Sequence, residues 1–444
     1  MKRLSLLAAA LVMVLGMAVS ASAAPEVAIS GNLLVNAVWM NNWDFNDSES
    51  GKNMRILERA DLYFTVTANE NLKGVLGLRS DKQNWGQDGF ANDAPGGSDG
   101  AKLNIRDAYI DFNWPGTDVN VKAGIYPIAL PQSVGAASMI SAERGGAVMV
   151  STPVTDNVSV LAGYTRLYDN DGNSTGAANL DENFLDGYLI ALPLSYEGVS
   201  ATPFFLYGNG GKNFAGSGED VTAYWTGSNF TMSLFDPFII KADVNYGNLS
   251  ADTDANEADG WLFDLGLDYT GFDFMTVSTY FVYTSGEDDD EGNGSEAMPV
   301  IQGDWSVGSF WFGGGSITGD DLDSEDGSIE DGSKLGFWTV GLSLTDIQSF
   351  AAGLTHDFHI LYVQGTNDAD LYTRAGSTTT ATFGKLTDDD SLWEVDFNTA
   401  YAVYDELTLY GQLGYINSDF DEDVWTNTVE DDAWKVATGV VYKF

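Results

Sequence analysis

The sequence predicts an all-β fold: a transmembrane antiparallel up-and-down β-barrel of about 16–18 strands. Three observations carry that expectation. Apolar and polar side chains alternate with period two in segment after segment, as strands between two media require. The connections alternate between tight turns and long Gly/Asp/Asn-rich intervals. The composition is rich in glycine and aromatics (Gly 50, Tyr 20, Phe 24, Trp 12 in 444 residues) at a mean hydropathy of -0.11, which suits strands showing apolar side chains outward and polar ones inward.

The first element is an export signal. Lys2 and Arg3 precede an apolar run from Leu4 to Val19, and Ala21-Ser22-Ala23 offers a small-residue cleavage site, the pattern of a secretory signal peptide. An uncleaved anchor is the alternative, but the run is short for a span and has no stop-transfer flank. Residues 1–23 are therefore expected to be the signal, and 24–444 a single barrel domain. Beyond the signal no apolar stretch is long enough for a membrane helix. With no cysteine in the chain, disulfides, thiolate-metal sites and lipid attachment through cysteine are excluded.

The mature chain opens with "VAISGNLLVNAVWM", which sets Val27, Ile29, Leu33, Val35, Ala37 and Trp39 on one face. In "RADLYFTVTANENLKGVLGLRS", Ala60, Leu62, Phe64, Val66 and Ala68 alternate with Arg59, Asp61, Tyr63, Thr65 and Thr67. After the turn at Asn69-Glu70-Asn71, Leu72, Gly74, Leu76 and Leu78 oppose Lys73 and Arg79, which completes a hairpin. The next hairpin, "AYIDFNWPGTDVNVKAGIY", turns at Trp114-Pro115-Gly116-Thr117. Short joins are expected again near Thr155-Asp156, Glu197-Gly198, Asp236-Pro237, Thr270-Gly271-Phe272 and Tyr404-Asp405-Glu406, with acidic or glycine-rich intervals between them. The stretch Val300 to Ser316 is ambiguous. A Greek-key sandwich, the soluble alternative, should not keep this rhythm.

The last strand, "AWKVATGVVYKF", places Trp434, Val436, Thr438, Val440, Tyr442 and Phe444 on one face and Lys435, Ala437, Gly439, Val441 and Lys443 on the other. Trp434 and Tyr442 are spaced to mark the two edges of an apolar band. Trp39, Trp114, Tyr126, Tyr164, Tyr168, Tyr283, Trp338, Tyr401 and Tyr410 also sit near strand ends, where interfacial girdles need amphipathic rings.

The formal net charge is -45, so nucleic-acid binding, which needs a basic patch, is not expected. The basic residues are unevenly placed. Arg3, Arg55, Arg59, Arg79, Arg106, Arg144 and Arg166 precede residue 170, and only Arg374 follows it.

Together the signal peptide, "VAISGNLLVNAVW", "IRDAYIDF", the turn-and-loop rhythm and the terminal "GVVYKF" resemble a Gram-negative outer-membrane general porin. The resemblance covers the whole mature chain as a pattern. It implies an outer-membrane, water-filled barrel in a homotrimer, embedded in outer-membrane lipid and passing small hydrophilic solutes and ions by passive diffusion. It also implies an inward loop after the fifth strand, and a terminal strand, with Tyr442 and Phe444, that the barrel-assembly machinery reads. Transferred to this chain, the fifth strand is Val119 to Tyr126, with Lys122 inward, and "PIALPQSVGAASMISAERGG" is the inward loop. That loop carries only one acid, Glu143, beside Arg144, where general porins carry several. The candidate pore-lining and constriction residues are Arg59, Lys73, Arg79, Arg106, Lys122, Glu143 and Arg144. For Arg106 the alternation slips between Ile105 and Ala108, as a bulge would cause. A basic early wall facing an otherwise acidic lumen would orient dipolar solutes and favour cations at the entrance.

Other classes fare less well. Two G-x-S-x-G matches, Gly96 to Gly100 and Gly172 to Gly176, lie in polar loops rather than at a strand-to-helix elbow. His356 and His359, three apart on a strand, point to opposite faces, which leaves a phospholipase-like barrel enzyme little to work with. No catalytic residue and no cofactor are expected. The acidic runs "EDDDEGNGSE" and "GDDLDSEDGSIEDG" suit external loops and could hold calcium or magnesium, as a surface cation-binding or adhesion barrel would. "DNDGNSTG" is not an EF-hand loop, because its glycine falls too early.

Overall fold

A computed structural model of the chain describes residues 25–42, 53–80, 83–85, 103–142, 144–169, 182–214, 218–290, 292–309, 335–370, 386–422, 424–425 and 432–444. The signal segment, both G-x-S-x-G matches, Glu143 and the acidic run at 319–332 lie outside these residues.

Within the described residues the wall is built from 18 antiparallel strands. In chain order they are β1 (Glu26–Asn41), β2 (Asn53–Asn69), β3 (Leu72–Ser80, prolonged by the short pair Gln83–Asn84), β4 (Leu103–Asn113), β5 (Asn120–Pro127) and β6 (Arg144–Thr155). Then come β7 (Val158–Asp169), β8 (Phe184–Ala191, resumed at Leu194–Tyr196), β9 (Val199–Gly210), β10 (Val221–Phe235), β11 (Phe238–Ser250) and β12 (Ala258–Phe272). The last six are β13 (Met275–Thr284), β14 (Phe337–Gln348), β15 (Leu354–Gly365), β16 (Ser391–Tyr404), β17 (Leu407–Asp419) and β18 (Asp432–Lys443). Each pairs with the next, and the interruption in β8 falls at Pro193, which has no N–H for the ladder.

The sheet closes on itself. β1 pairs with β18 from Asn32↔Lys443 to Asn41↔Trp434. The seam is completed by two backbone bonds, Gly31 N to Phe444 O at 2.9 Å and Phe444 N to Gly31 O at 3.1 Å. Gly31 is required there, because a Cβ would run into the carbonyl oxygen of Asp61 on β2. Closure removes the free strand edges that an open sheet would leave unsatisfied in lipid.

The alternation read from the sequence corresponds to two environments. Val27, Ile29, Leu33 and Trp39 are exposed outward, whereas Leu34, Asn36, Val38 and Met40 are buried inward. The same division runs through β18, with Trp434 and Tyr442 exposed and Lys435, Ala437 and Val441 buried. Apolar side chains exposed around the whole barrel are stable only against lipid. Near the long-loop end the aromatics touch one another in a belt. Tyr164, Tyr188 and Tyr207 are in contact, Tyr224, Tyr246 and Trp261 follow, and Trp338, Tyr362 and Trp393 continue it, with ring centroids 4.7–6.4 Å apart. A second group at the short-turn end includes Phe238, Tyr269, Phe272 and Phe274.

Four details differ from the sequence expectation. Tyr126 and Tyr410, expected in the girdles, are 4% and 5% exposed and face inward, since each shares strand parity with inward neighbours. The turn expected at Thr270–Phe272 lies instead at Asp273–Phe274, because β12 pairs as far as Phe272↔Met275. The turn between β14 and β15 has no Gly-Asp or Asn-Gly signature and was not foreseen. The ambiguous stretch from Val300 forms no wall strand within the described residues; up to Ser309 it runs inside the barrel.

Candidate channel constriction

Two connections on the long-loop side turn inward instead of outward. The first, residues 128–142, follows the fifth strand and buries Ile128, Leu130, Val134, Met139 and Ile140. It is shorter than the sequence expectation, because Arg144, Gly145 and Gly146 already pair with β5. The second, residues 297–309, buries Ala297, Met298, Trp305 and Val307. Both are apolar, glycine-punctuated stretches without a strand period, and neither could stay in water without exposing that surface.

The two segments bind each other across the lumen. Ala136 bridges to Ser306 and Ser141 to Gln302. Ala136 N donates to Ser306 O at 2.9 Å and Asp304 N to Ser138 O at 3.0 Å. Trp305, fully buried, donates its indole N–H to the carbonyl of Val134 at 2.8 Å. Gly135 sits at φ +81 against that indole, where a side chain would collide.

Buried carboxylates on the far wall anchor the pair. Asp243 on β11 accepts the backbone N–H groups of Ser133 at 2.8 Å and Val134 at 2.9 Å, and the side-chain amide of Gln132 at 3.1 Å. The same Gln132 amide reaches Asp264 on β12 at 2.8 Å. On β16, Asp396 and Glu394 accept from Ser309 N at 2.8 and 3.2 Å, and Asn398 donates to the Ser309 hydroxyl at 2.8 Å. All four acids are at most 1% exposed. A carboxylate so deeply buried is tolerable only with such donors.

The early wall is different. Register aligns inward residues of β2 to β5 in rows. In one row Asp61 takes the Arg79 guanidinium through two bonds, at 2.5 and 2.8 Å, with Arg59 at 3.6 Å. Nearby, Arg144 pairs with Asp107 at 3.2 Å. A row closer to the short turns runs Thr67, Lys73, Asp111, Lys122. There Lys73 pairs with Asp111 at 3.3 Å, and Lys122 lies over the rings of Tyr109 and Tyr126 at 4.3 and 4.1 Å. Lys73 keeps 48% of its side chain exposed and Arg79 19%, so this side of the lumen faces water.

Of the sequence candidates, Arg59, Lys73, Arg79, Lys122 and Arg144 therefore meet on one stretch of inner wall. Arg106 is the inserted residue of a bulge, since the register jumps from Gly77↔Asp107 to Leu78↔Ile105. Its Nε is buried without a hydrogen-bond partner. Sequence reasoning missed the inward acids that accompany this wall, although the period-two pattern already set Asp61 beside Arg59. It also missed the second inward segment, whose signal was an apolar run, "AMPVIQGDWSV", set between acidic intervals.

Below the crossed segments, toward the short turns, lies a cavity of about 390 Å³ lined by Lys241, Asp268, Asp357 and His359, among others. Lys241 and Asp268 pair at 2.7 Å, and His359 Nδ1 lies 2.8 Å from Ser343 Oγ. His356 is on the opposite, outer face, stacked on Phe397.

Neither a protein-family model nor a curated protein sequence matches the chain. Its fold, however, matches solved structures over nearly full length. Acinetobacter baumannii OccAB4 is similar at 11% identity and a TM-score of 0.54, over 96% of this chain and 100% of that one. Pseudomonas aeruginosa OpdL is similar at 11% identity and 0.53, over 94% and 99%. Pseudomonas aeruginosa OprD is similar at 14% identity and 0.50, over 94% and 95%. At such identities the likeness is one of architecture, and it agrees with the lipid-facing exterior and the closed seam. In fold, the chain is a closed antiparallel barrel of 18 strands like those of these solved structures.

Proposed function

We propose that this chain forms a water-filled outer-membrane channel through which small hydrophilic solutes and ions diffuse passively, with a preference for cations. The observation that most supports it is a lumen narrowed from one side by two anchored segments and lined on the other by partly exposed charged side chains. Such a wall selects by size and field, not by chemistry. The acidic intervals on the long-loop side favour cations at the entrance, and the early basic wall orients dipolar solutes beneath them. Calcium or magnesium at those intervals belongs to the same reading, although no described group of three or more His, Asp or Glu residues is arranged to hold a metal ion.

The reading also includes export through a cleaved signal, a homotrimer, and assembly by the barrel-assembly machinery with Tyr442 and Phe444 as its signal. The two backbone bonds that Phe444 makes at the seam support the last point. Deleting Phe444 should lower the yield of assembled barrel more than the conductance of the barrels that form. The chain is read as a channel and not an enzyme: His359 and Ser343 face the lumen, whereas a lipid hydrolase needs its dyad at lipid level.

Single-channel recording of the purified protein in planar bilayers under salt gradients tests the proposal. Discrete conductance steps with a cation-selective reversal potential are expected. Silence would overturn the channel reading, and an anion-selective potential would overturn the cation clause.

A further inference from the structure

In the row Lys73, Asp111, Lys122, one carboxylate stands between two ammonium groups. Its oxygens are already engaged: Oδ2 by Lys73 at 3.3 Å and Oδ1 by the Asn120 amide at 2.7 Å. Among the described residues Lys122 forms no ion pair, and it rests on aromatic faces instead, 4.3 Å from the Tyr109 ring and 4.1 Å from the Tyr126 ring. The two tyrosines brace each other edge to face at 5.5 Å, and Tyr126 donates its hydroxyl to the Lys122 carbonyl at 3.3 Å. A ring face attracts a cation through its quadrupole but does not cancel its charge. The row thus carries one net positive charge, held at a fixed place on the half-exposed lumen wall.

We propose that Lys122 is a selectivity-determining charge of the channel, and that Tyr109 and Tyr126 are positioning residues that hold its ammonium in the ion path. This rests on the channel reading above. Lys122 opposes the cation preference set by the acidic intervals, so its loss should raise that preference. At separations near 7 Å in water a unit charge repels a cation and attracts an anion with about the thermal energy each, and screening by the electrolyte roughly halves both, which corresponds to a roughly threefold change in permeability ratio.

The absence of native cysteine permits a direct test. Lys122→Cys should raise the cation-to-anion permeability ratio about threefold, and modification with 2-aminoethyl methanethiosulfonate, which restores an ammonium, should bring it back. Modification with the 2-sulfonatoethyl reagent should raise it further. Tyr109→Leu with Tyr126→Leu, which keeps Lys122 but frees it, should blunt the response and raise open-channel noise. Heat-modifiable gel migration confirms folding of each variant. A conducting wild type whose ratio is unmoved by Lys122→Cys or by either reagent would overturn this inference alone. A wild type that never conducts would overturn the channel reading and the inference with it.

Discussion

The two sides of the lumen use the same acidic chemistry for opposite ends. On the early wall, Asp61, Asp107 and Asp111 face arginine and lysine side chains, and part of that surface stays in water. On the late wall, Asp243, Asp264, Glu394 and Asp396 turn to the backbone and side-chain donors of two incoming segments, and are sealed. A side-chain cation can neutralise an acid and leave the space in front of it empty. A main-chain donor brings its whole segment along. The difference teaches that the partner of an inward carboxylate, and not the carboxylate itself, decides whether that part of the barrel is pore or plug.

The contrast can be broken most strongly on the late side. Replacing Asp243 and Asp396 together by alanine strands the N–H groups of Ser133 and Val134, at a cost of about 1–3 kcal/mol for each unsatisfied group, and leaves Ser309 N only its longer bond to Glu394. Both segments should leave the lumen, and single-channel conductance should rise about twofold or more; unchanged conductance would show that the segments hold without their anchors. Next, Asp61→Asn deprives Arg59 and Arg79 of a shared carboxylate. Breaking such a buried pairing costs on the order of 3 kcal/mol, so thermal unfolding of the barrel should come earlier while conductance changes little. A conductance jump comparable to that of the late-wall variant would erase the distinction between the two walls.

Smaller effects sharpen it. Trp305→Phe keeps the ring but loses the bond to the Val134 carbonyl, worth about 1 kcal/mol. It should raise current noise without shifting the mean conductance. Smallest of all, Arg166→Gln touches an outward-facing pair with Asp186 and Asp169 near the aromatic belt. Such pairs contribute roughly 0–1 kcal/mol, and ion selectivity should not move. A selectivity change from this outer position would mean that charges beyond the lumen wall set the field.

Much of the barrel was legible in the residues. The faces of β1, β2, β3 and β18 follow from period-two alternation, and the slip at Arg106 appears as a register jump at the expected place. Tyr126 and Tyr410 escaped because an aromatic near a strand end serves a girdle or a packed lumen equally well, and only parity relative to neighbours separates the two. The second inward segment escaped because sequence reading assigned an inward course only to the connection after the fifth strand and left Val300 to Ser316 ambiguous.

What the sequence determined alone is whatever repeats within a few residues: strand faces, tight turns, the apolar belt and the clustering of basic residues on the early strands. The pleat makes those features local. Only the tertiary structure decided which carboxylates hold loops and which hold cations. Asp243 meets Ser133 across 110 positions of chain, and Asp396 meets Ser309 across 87. Nothing in either neighbourhood encodes the other, because barrel closure is what brings them within hydrogen-bond reach.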